Sequence, residues 1–235
     1  VEALSGRKGM LDIRLCQLVN LMDNGRSVKM SKRAGTFVTV RDVIDSVGAD
    51  VIRFIMLTRR SEQTLDFDFA RVTEQSRDNP VFYVQYAHAR ACSVMRQAGE
   101  DAAAEAAMDR LDHLAEIEVL RHLASWPKLV ISAANAHEPH RIAFFLMDLA
   151  ASFHALWTAG REAPELRFIR EDNAALTASR LRLVKATALV IRSGLSVLAI
   201  EARDLIFGKV LDTASTLSNQ FQNLESESGC LSRSG

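Results

Sequence analysis

The sequence predicts a mainly α fold: a short mixed segment of strands, turns and small helices, followed by an α-helical bundle. Three observations carry this. Between residue 79 and about residue 200, apolar residues recur at helical spacing in long stretches separated by short loops, the pattern of a bundle. Those stretches begin and end on residue types that helices use at their termini. A strong hairpin signal, Asn24-Gly25 between two β-type runs, falls within the first 75 residues.

Taken in order, Cys16-Gln17-Leu18-Val19-Asn20-Leu21-Met22 reads as a strand. Asp23-Asn24-Gly25-Arg26 follows as a tight turn, since Asn-Gly supplies the positive φ angles of a type I′ hairpin. Ser27-Val28-Lys29-Met30 is the expected return strand, running into the polar loop Ser31-Lys32-Arg33-Ala34-Gly35-Thr36. Thr39, with Asp42 three residues on, predicts a capped helix start. That helix ends near Gly48, and Asp50 is placed to cap the next, whose apolar positions are Val51, Ile52, Phe54, Ile55 and Leu57.

Asn79-Pro80 is an N-cap followed by proline at the first helical position, and Gly99 closes the helix. Within it Val81, Val84, His88, Ala91, Met95 and Ala98 form one buried stripe, so His88 reads as a buried, hydrogen-bonded histidine. Tyr83, Tyr86, Arg90 and Gln97 occupy a different face. Further helices are expected over roughly 103–124, from near Pro127, from about Pro139 to Ala159 with a stop at Gly160, and from Ala174 to Leu198 with a bend at Gly194. His154 and Trp157, one turn apart, read as core packing. From about residue 208 the chain is rich in Ser, Asn and Gln and is expected to be disordered.

Composition excludes several classes. Lys plus Arg (29) equals Asp plus Glu (29), so a nucleic-acid surface must be a local patch and not a property of the whole chain. Cys16, Cys92 and Cys230 stand singly with no CxxC pair, which predicts neither a zinc site nor a disulfide framework and fits a reducing compartment. No uninterrupted apolar run reaches the roughly 18 residues of a membrane span, and the N-terminal residues do not read as a signal peptide. The start at Val1, not Met, suggests a fragment or a processed chain.

The sharpest chemical signal is Lys29-Met30-Ser31-Lys32-Arg33. Two lysines on a flexible loop present compact point charges that can meet charge developing on phosphoryl oxygens; a solvated basic turn is the plainer reading of such a pentapeptide. Asp66 and Asp68 alternate with Leu65, Phe67 and Phe69; they suit a metal-binding pair less well than a helix-capping and strand-edge role for Asp68. Tyr83, Tyr86 and Arg90 can stack on unpaired bases and contact phosphate, or form a helix–helix contact. Arg180, Arg182, Lys185 and Arg192 make the last helix basic, as a solvated face or a phosphate-facing one.

Context decides between some of these. Val28 to Thr39 resembles the KMSKS signature loop of class I aminoacyl-tRNA synthetases, in the arginyl form where Arg replaces the final Ser. Gly48-Ala49-Asp50-Val51-Ile52-Arg53-Phe54 and Leu65-Asp66-Phe67-Asp68 are similar to the same enzymes. The run Asn79-Pro80-Val81-Phe82-Tyr83-Val84-Gln85-Tyr86-Ala87-His88-Ala89-Arg90 resembles the first helix of the arginyl anticodon-binding domain, and argues against a cysteinyl-type relative. The resemblance continues through Glu138-Pro139-His140-Arg141-Ile142-Ala143, Phe153-His154-Ala155-Leu156, and Arg180-Leu181 with Leu183-Val184-Lys185-Ala186, and covers roughly residues 5 to 201.

The resemblance implies three parts. Residues 1–75 would be the end of a class I Rossmann-like catalytic domain with its signature loop and connecting helices. Residues 76–201 would be a helical anticodon-binding domain, and residues 202–235 a tail unlike the family. It implies a cytoplasmic arginine–tRNA ligase, with ATP, arginine and tRNA(Arg) as partners, Mg accompanying ATP, and neither DNA nor membrane. Lys29 and Lys32 would be catalytic, neutralising the leaving β,γ-phosphates. Met30, Ser31 and Arg33 would complete the ATP loop, and Tyr83, Tyr86, Arg90, Arg182 and Lys185 would face tRNA. The family's HIGH motif is absent from the sequence, and His137-Glu138-Pro139-His140 sits on the wrong side of the loop to replace it. The isolated chain is therefore expected to be inactive. The alternative class is a non-catalytic helical module that binds RNA or protein.

Overall fold

The computed structural model describes residues 2–9, 11, 13–27, 39–68, 72, 79–99 and 110–204. The Lys29–Arg33 loop, the first part of the helix expected over 103–124, and the Ser-rich tail lie outside the described residues. A short helix α1 (Glu2–Ser5) precedes a small sheet of β1 (Val19–Asp23), β2 (Arg26–Ser27) and β3 (Leu65–Asp68), ordered β2-β1-β3. β2 returns antiparallel to β1, pairing Met22 with Ser27 and Asp23 with Arg26. β3 lies parallel to β1, with Leu21 opposite Phe67. Between them run α2 (Val40–Val47) and α3 (Ala49–Leu57). The helical part comprises α4 (Pro80–Ala98), α5 (Leu114–Ala136), α6 (His140–Glu162), a 3₁₀ turn (Pro164–Leu166) and α7 (Ala174–Val197).

The turn chemistry read from the sequence is present. Asn24 and Gly25 have φ of 49° and 75°, both positive as a type I′ turn requires. The strand begins at Val19, later than expected, and the residues before it lie open to solvent. Thr39 and Asp42 form a reciprocal capping box that holds the Asp42 carboxyl below its ordinary range, chiefly through the Thr39 hydroxyl. Asp50 does not cap α3. Gly48, at φ 87°, is the single residue between the two helices and takes that place, because a positive φ reverses the chain in one step. Asp50 instead lies in the first turn and faces Arg203 at 3.9 Å. The helix-capping role expected of Asp68 falls on residues outside the described ones, and its strand-edge role is seen directly. Its carboxylate accepts the backbone N–H groups of Asn24 (3.1 Å) and Gly25 (2.8 Å), gripping the hairpin turn from the neighbouring strand.

The bundle departs from expectation at its proline and its glycines. Over the described residues the two helices expected around Pro127 are one, and α5 continues through it. Its start is His113, whose side chain accepts from Ala115 N–H while Glu116 reaches back to His113 N–H. Pro127 is exposed, so the helix passes it where the carbonyl it leaves unpaired can meet water. Gly160 does not stop α6, which runs on to Glu162, and at Gly194, where a bend was expected, α7 continues to Val197. At Gly160 a Cβ would come within 2.9 Å of the Leu166 carbonyl oxygen, and at Gly194 within 2.7 Å of Leu146 Cδ2. Both glycines mark close approach, not breaks.

α4, α6 and α7 close around Val84, Ala87, Ala91, Leu146, Leu149, Phe153, Leu181, Leu183, Ile191 and Leu195, all sealed from solvent. By length and composition α6 is apolar enough to cross a membrane, although Asp148 divides its apolar run. Half of its most apolar stretch is buried inside the bundle, as a core helix would be. Arg180, expected on a basic surface, is buried: its Nε donates to Glu116 at 2.5 Å, and its Nη1 donates to the carbonyls of Glu165 (2.6 Å) and Arg167 (2.9 Å). This pair bolts the 3₁₀ turn between α5 and α7.

After α7 the chain does not leave the bundle at residue 201. Leu198 and Ile200 are buried, and Ala199 adopts φ 54°. Gln85 donates to the Glu201 carbonyl at 2.9 Å, and His88 Nδ1 meets the Arg203 carbonyl at 3.0 Å. Residues 198–204 thus form a strap across α4, and Arg53 of α3 donates to the Ala199 carbonyl. Among the described residues no buried side-chain polar atom lacks a partner.

Candidate nucleic-acid interface

The signature loop is bracketed by two fixed points. On its entry side the hairpin ends at Ser27, braced through the Asp68 grip on the turn; on its exit side stands the capped start of α2 at Thr39. Lys29, Met30, Ser31, Lys32 and Arg33 themselves lie outside the described residues.

The Tyr83, Tyr86 and Arg90 face of α4 meets α6. Arg90 is sandwiched between two rings, its guanidinium carbon 4.0 Å from the Tyr86 centroid and 4.9 Å from that of Trp157. It also donates to the Tyr86 hydroxyl at 2.8 Å and to His154 Nδ1 at 3.0 Å. A guanidinium can only donate, so Nδ1 accepts and the His154 proton sits on Nε2. From there it donates to the Tyr83 carbonyl at 3.2 Å. Tyr83 packs on His154 with ring centroids 4.5 Å apart. The expected tyrosine–arginine face is therefore a half-buried aromatic and cationic cluster, and His154 and Trp157 belong to it in addition to packing the core.

Trp157 is also the wall of a cavity of about 410 Å³ lined by Val94, Gln97, Gly160, Arg161, Arg167, Phe168 and Ile169. Phe168 stacks on Phe153, with centroids 5.7 Å apart and planes 15° apart. Arg161, Arg167 and Gln97 are exposed at the rim. An aromatic wall, two guanidiniums and one amide suit an unstacked base and its phosphate. Sequence reasoning set Gln97 on the tyrosine face and read Trp157 as core packing, and it did not single out Arg161 or Arg167. Neither follows a periodic pattern, because one closes α6 and the other follows the 3₁₀ turn, and only Gly160's close packing brings them together. Arg182 and Lys185 are exposed and lie on one stripe of α7 with Leu189 and Arg192.

Three comparisons bear on this arrangement. Residues 84–206 match the family model of the DALR anticodon binding domain. The chain is 56% identical over 211 residues to a protein named arginine–tRNA ligase from Rhodospirillum rubrum, and 55% identical over 207 residues to one from Ruegeria pomeroyi. These alignments cover 86% and 85% of this chain but 36% of each relative, so the chain spans about a third of the length of those curated relatives. Among solved structures it resembles an arginyl-tRNA synthetase of Campylobacter jejuni, with TM-score 0.70 and 28% identity over 82% of this chain and 40% of that one. It also resembles that of Thermus thermophilus, with TM-score 0.62 and 26% identity over 81% of this chain and 35% of that one.

Proposed function

The chain belongs to the family of DALR anticodon binding domains, and we propose that it is the tRNA-facing portion of an arginine–tRNA ligase. The observation that carries this reading is identity above one half to proteins of that name, sustained through most of the chain. The intact enzyme would join arginine to tRNA(Arg) in two steps. The arginine carboxylate attacks the α-phosphorus of ATP and pyrophosphate leaves; a terminal ribose hydroxyl of the tRNA then takes the arginyl group. In this proposal Lys29 and Lys32 meet the charge growing on the β,γ-phosphates, with Mg accompanying the nucleotide, while Ser31 and the backbone amides of Met30 and Arg33 hydrogen-bond the phosphate oxygens. The hairpin grip and the Thr39 cap would fix the two ends of a loop that closes over ATP. The free thiols Cys16 and Cys92 suit a cytoplasmic setting.

For the tRNA, we assign the Tyr86–Arg90–Trp157 stack as a preformed platform. The adjoining cavity would take an unpaired anticodon base, with Arg161 and Arg167 contacting phosphate and Gln97 reading a base edge. Tyr83 supports the platform through His154. Arg182 and Lys185 would contact backbone phosphates on a second face.

Two measurements test the reading. In a full-length protein carrying these residues, Lys32→Ala is expected to lower arginine-dependent ATP–pyrophosphate exchange by about 10²–10³-fold with little change in arginine affinity, the scale of one transition-state charge contact. A loss confined to arginine binding refutes the phosphate role. In the same protein, Arg90→Ala is expected to weaken tRNA(Arg) binding about tenfold, as a base–aromatic platform is worth roughly 1–3 kcal/mol. Arg161→Ala with Arg167→Ala should also flatten the salt dependence of binding by about two phosphate contacts. Unchanged affinity in a variant that melts lower would make the cluster packing alone.

A further inference from the structure

Where the strap crosses α4, three side chains of unlike chemistry converge: His88, Cys92 and Asp204. His88 and Cys92 are four residues apart and so share one face of the helix. Asp204 comes from 112 residues further along, delivered by the strap hydrogen bonds of Gln85 and His88. Cys92 Sγ is 3.6 Å from Asp204 Oδ1 and 3.7 Å from His88 Nδ1, and Nδ1 is 3.8 Å from Asp204 Oδ1. Bond lengths to zinc near 2.3 Å for sulfur and 2.0–2.2 Å for nitrogen and oxygen, at tetrahedral angles, place neighbouring donors roughly 3.3–3.6 Å apart. The three atoms already stand within a few tenths of an ångström of that spacing. The Arg203 carbonyl oxygen lies 3.0 Å from Nδ1.

We propose that His88, Cys92 and Asp204 form a binding site for a thiolate-seeking divalent cation of the zinc class, which clasps the 198–204 strap to α4. The donor set selects the class: one sulfur, one imidazole nitrogen and one carboxylate suit zinc, whereas magnesium and calcium require oxygen ligands throughout. On binding, Cys92 gives up its thiol proton to solvent. The imidazole stays neutral by moving its proton from Nδ1, where it is donated to the Arg203 carbonyl, to Nε2; the Nδ1 lone pair then faces the ion, which replaces that hydrogen bond as the link to the strap. Thiolate and carboxylate together balance the two charges of the ion. Two arginines stand nearby and do not block the site. Arg192 contacts Asp204 Oδ1 at 3.0 Å but is more than half exposed and can transfer to the other carboxylate oxygen, and Arg96 reaches only the Asp204 backbone carbonyl, at 3.4 Å. Spacing along the chain could not reveal this site, because the third ligand is brought in by tertiary structure.

The test uses the full chain with Cys16→Ser and Cys230→Ser, leaving Cys92 the sole thiol. Cobalt(II) added to this protein is expected to saturate at one ion per chain with a thiolate-to-cobalt charge-transfer band, and zinc should displace it. Zinc should raise the melting temperature and magnesium should not. Cys92→Ser should abolish the band and weaken zinc binding at least about a hundredfold, beyond the loss that removal of a supporting contact brings. Asp204→Asn, on the exposed side of the site, should weaken it in a protein whose circular dichroism is unchanged. Failure of cobalt to saturate, a spectrum without the thiolate band, or zinc affinity unchanged in Cys92→Ser each overturns the proposal and leaves the cluster a hydrogen-bonded clasp.

Discussion

Residues 2–68 and residues 79–204 use apolar side chains in opposite ways. In the first region Leu4, Ile13, Leu15 and Leu18 are more than two-thirds exposed, and among the described residues the core is little more than Val43, Val51, Phe54, Leu65 and Phe67. Its order comes from directed polar bonds: the Asp68 grip, the Thr39 capping box, and Asn20 Nδ2 donating to Asp66 at 2.8 Å. In the second region Leu146, Leu149, Phe153, Leu181, Leu183 and Leu195 have no appreciable exposure. The two meet through α3 against α4, Arg53 on the Ala199 carbonyl, and Arg14 near His137 at 3.3 Å. The bundle is specified by buried area and can carry a charged pair at its centre. The first region is specified by individual hydrogen bonds. Local changes should therefore act globally in the second region and only locally in the first.

The largest test of that contrast is the Arg180–Glu116 pair. Both side chains are almost fully buried, so Arg180→Ala strands a carboxylate and frees the Glu165 and Arg167 carbonyls. A loss of about 3–5 kcal/mol is expected, seen as a lower, broader melting transition of the whole bundle. Arg180→Met with Glu116→Leu should recover most of it, because an apolar pair of similar volume avoids the stranded charge. If Arg180→Ala melts like the parent, the bundle is not organised around this pair.

The glycines come next. Gly160→Ala sets a methyl against a backbone oxygen of the 3₁₀ turn, which cannot yield without moving Arg167 and Phe168. About 1–3 kcal/mol of destabilisation is expected, the cost of overpacking, together with distortion of the cavity beside Trp157. Gly194→Ala meets only the tip of Leu146, a side chain able to change rotamer, and it gains roughly 1 kcal/mol of helix propensity. It should therefore cost less than Gly160→Ala. Equal costs for the two variants would mean that the 3₁₀ turn is not fixed by that contact.

These sites also mark what the sequence disclosed. Termini set by local chemistry were legible: Asn79-Pro80, Thr39 with Asp42, Asn24-Gly25 and the stripe through His88 all act as their residue types predict. Glycine and proline were misread where tertiary contacts override local preference. Gly160 resembles a stop signal and Gly194 a bend, yet both serve as approach points, and Pro127 resembles a start but sits on an exposed helix face. Arg180 looked like one more cation on a basic helix, since nothing local reveals that Glu116, 64 residues earlier, will be buried against it. In the candidate site, Tyr86 and Arg90 were found by motif. Arg161 and Arg167 were not, because one closes α6 and the other follows the 3₁₀ turn, and only the packed bundle brings them together; Asp204, in the cluster with His88 and Cys92, is likewise delivered by tertiary structure.

The smallest expected effect lies in the first region. Asp68 holds the hairpin turn through two charge-assisted bonds to the Asn24 and Gly25 amides. Asp68→Asn keeps one acceptor oxygen and removes the charge, so the turn should lose about 1 kcal/mol, at the weak end for a bond to an ionised group. The turn is exposed, and its type I′ geometry is favoured by Asn-Gly itself. Native-state hydrogen exchange should show the Asn24 and Gly25 amides opening about fivefold faster. The amides of α4, α6 and α7 should exchange as before, and the bundle melting temperature should not move. A variant in which bundle amides also speed up would show that the hairpin and the helices unfold as one cooperative unit, and the contrast between a locally bonded region and a globally packed one would fail.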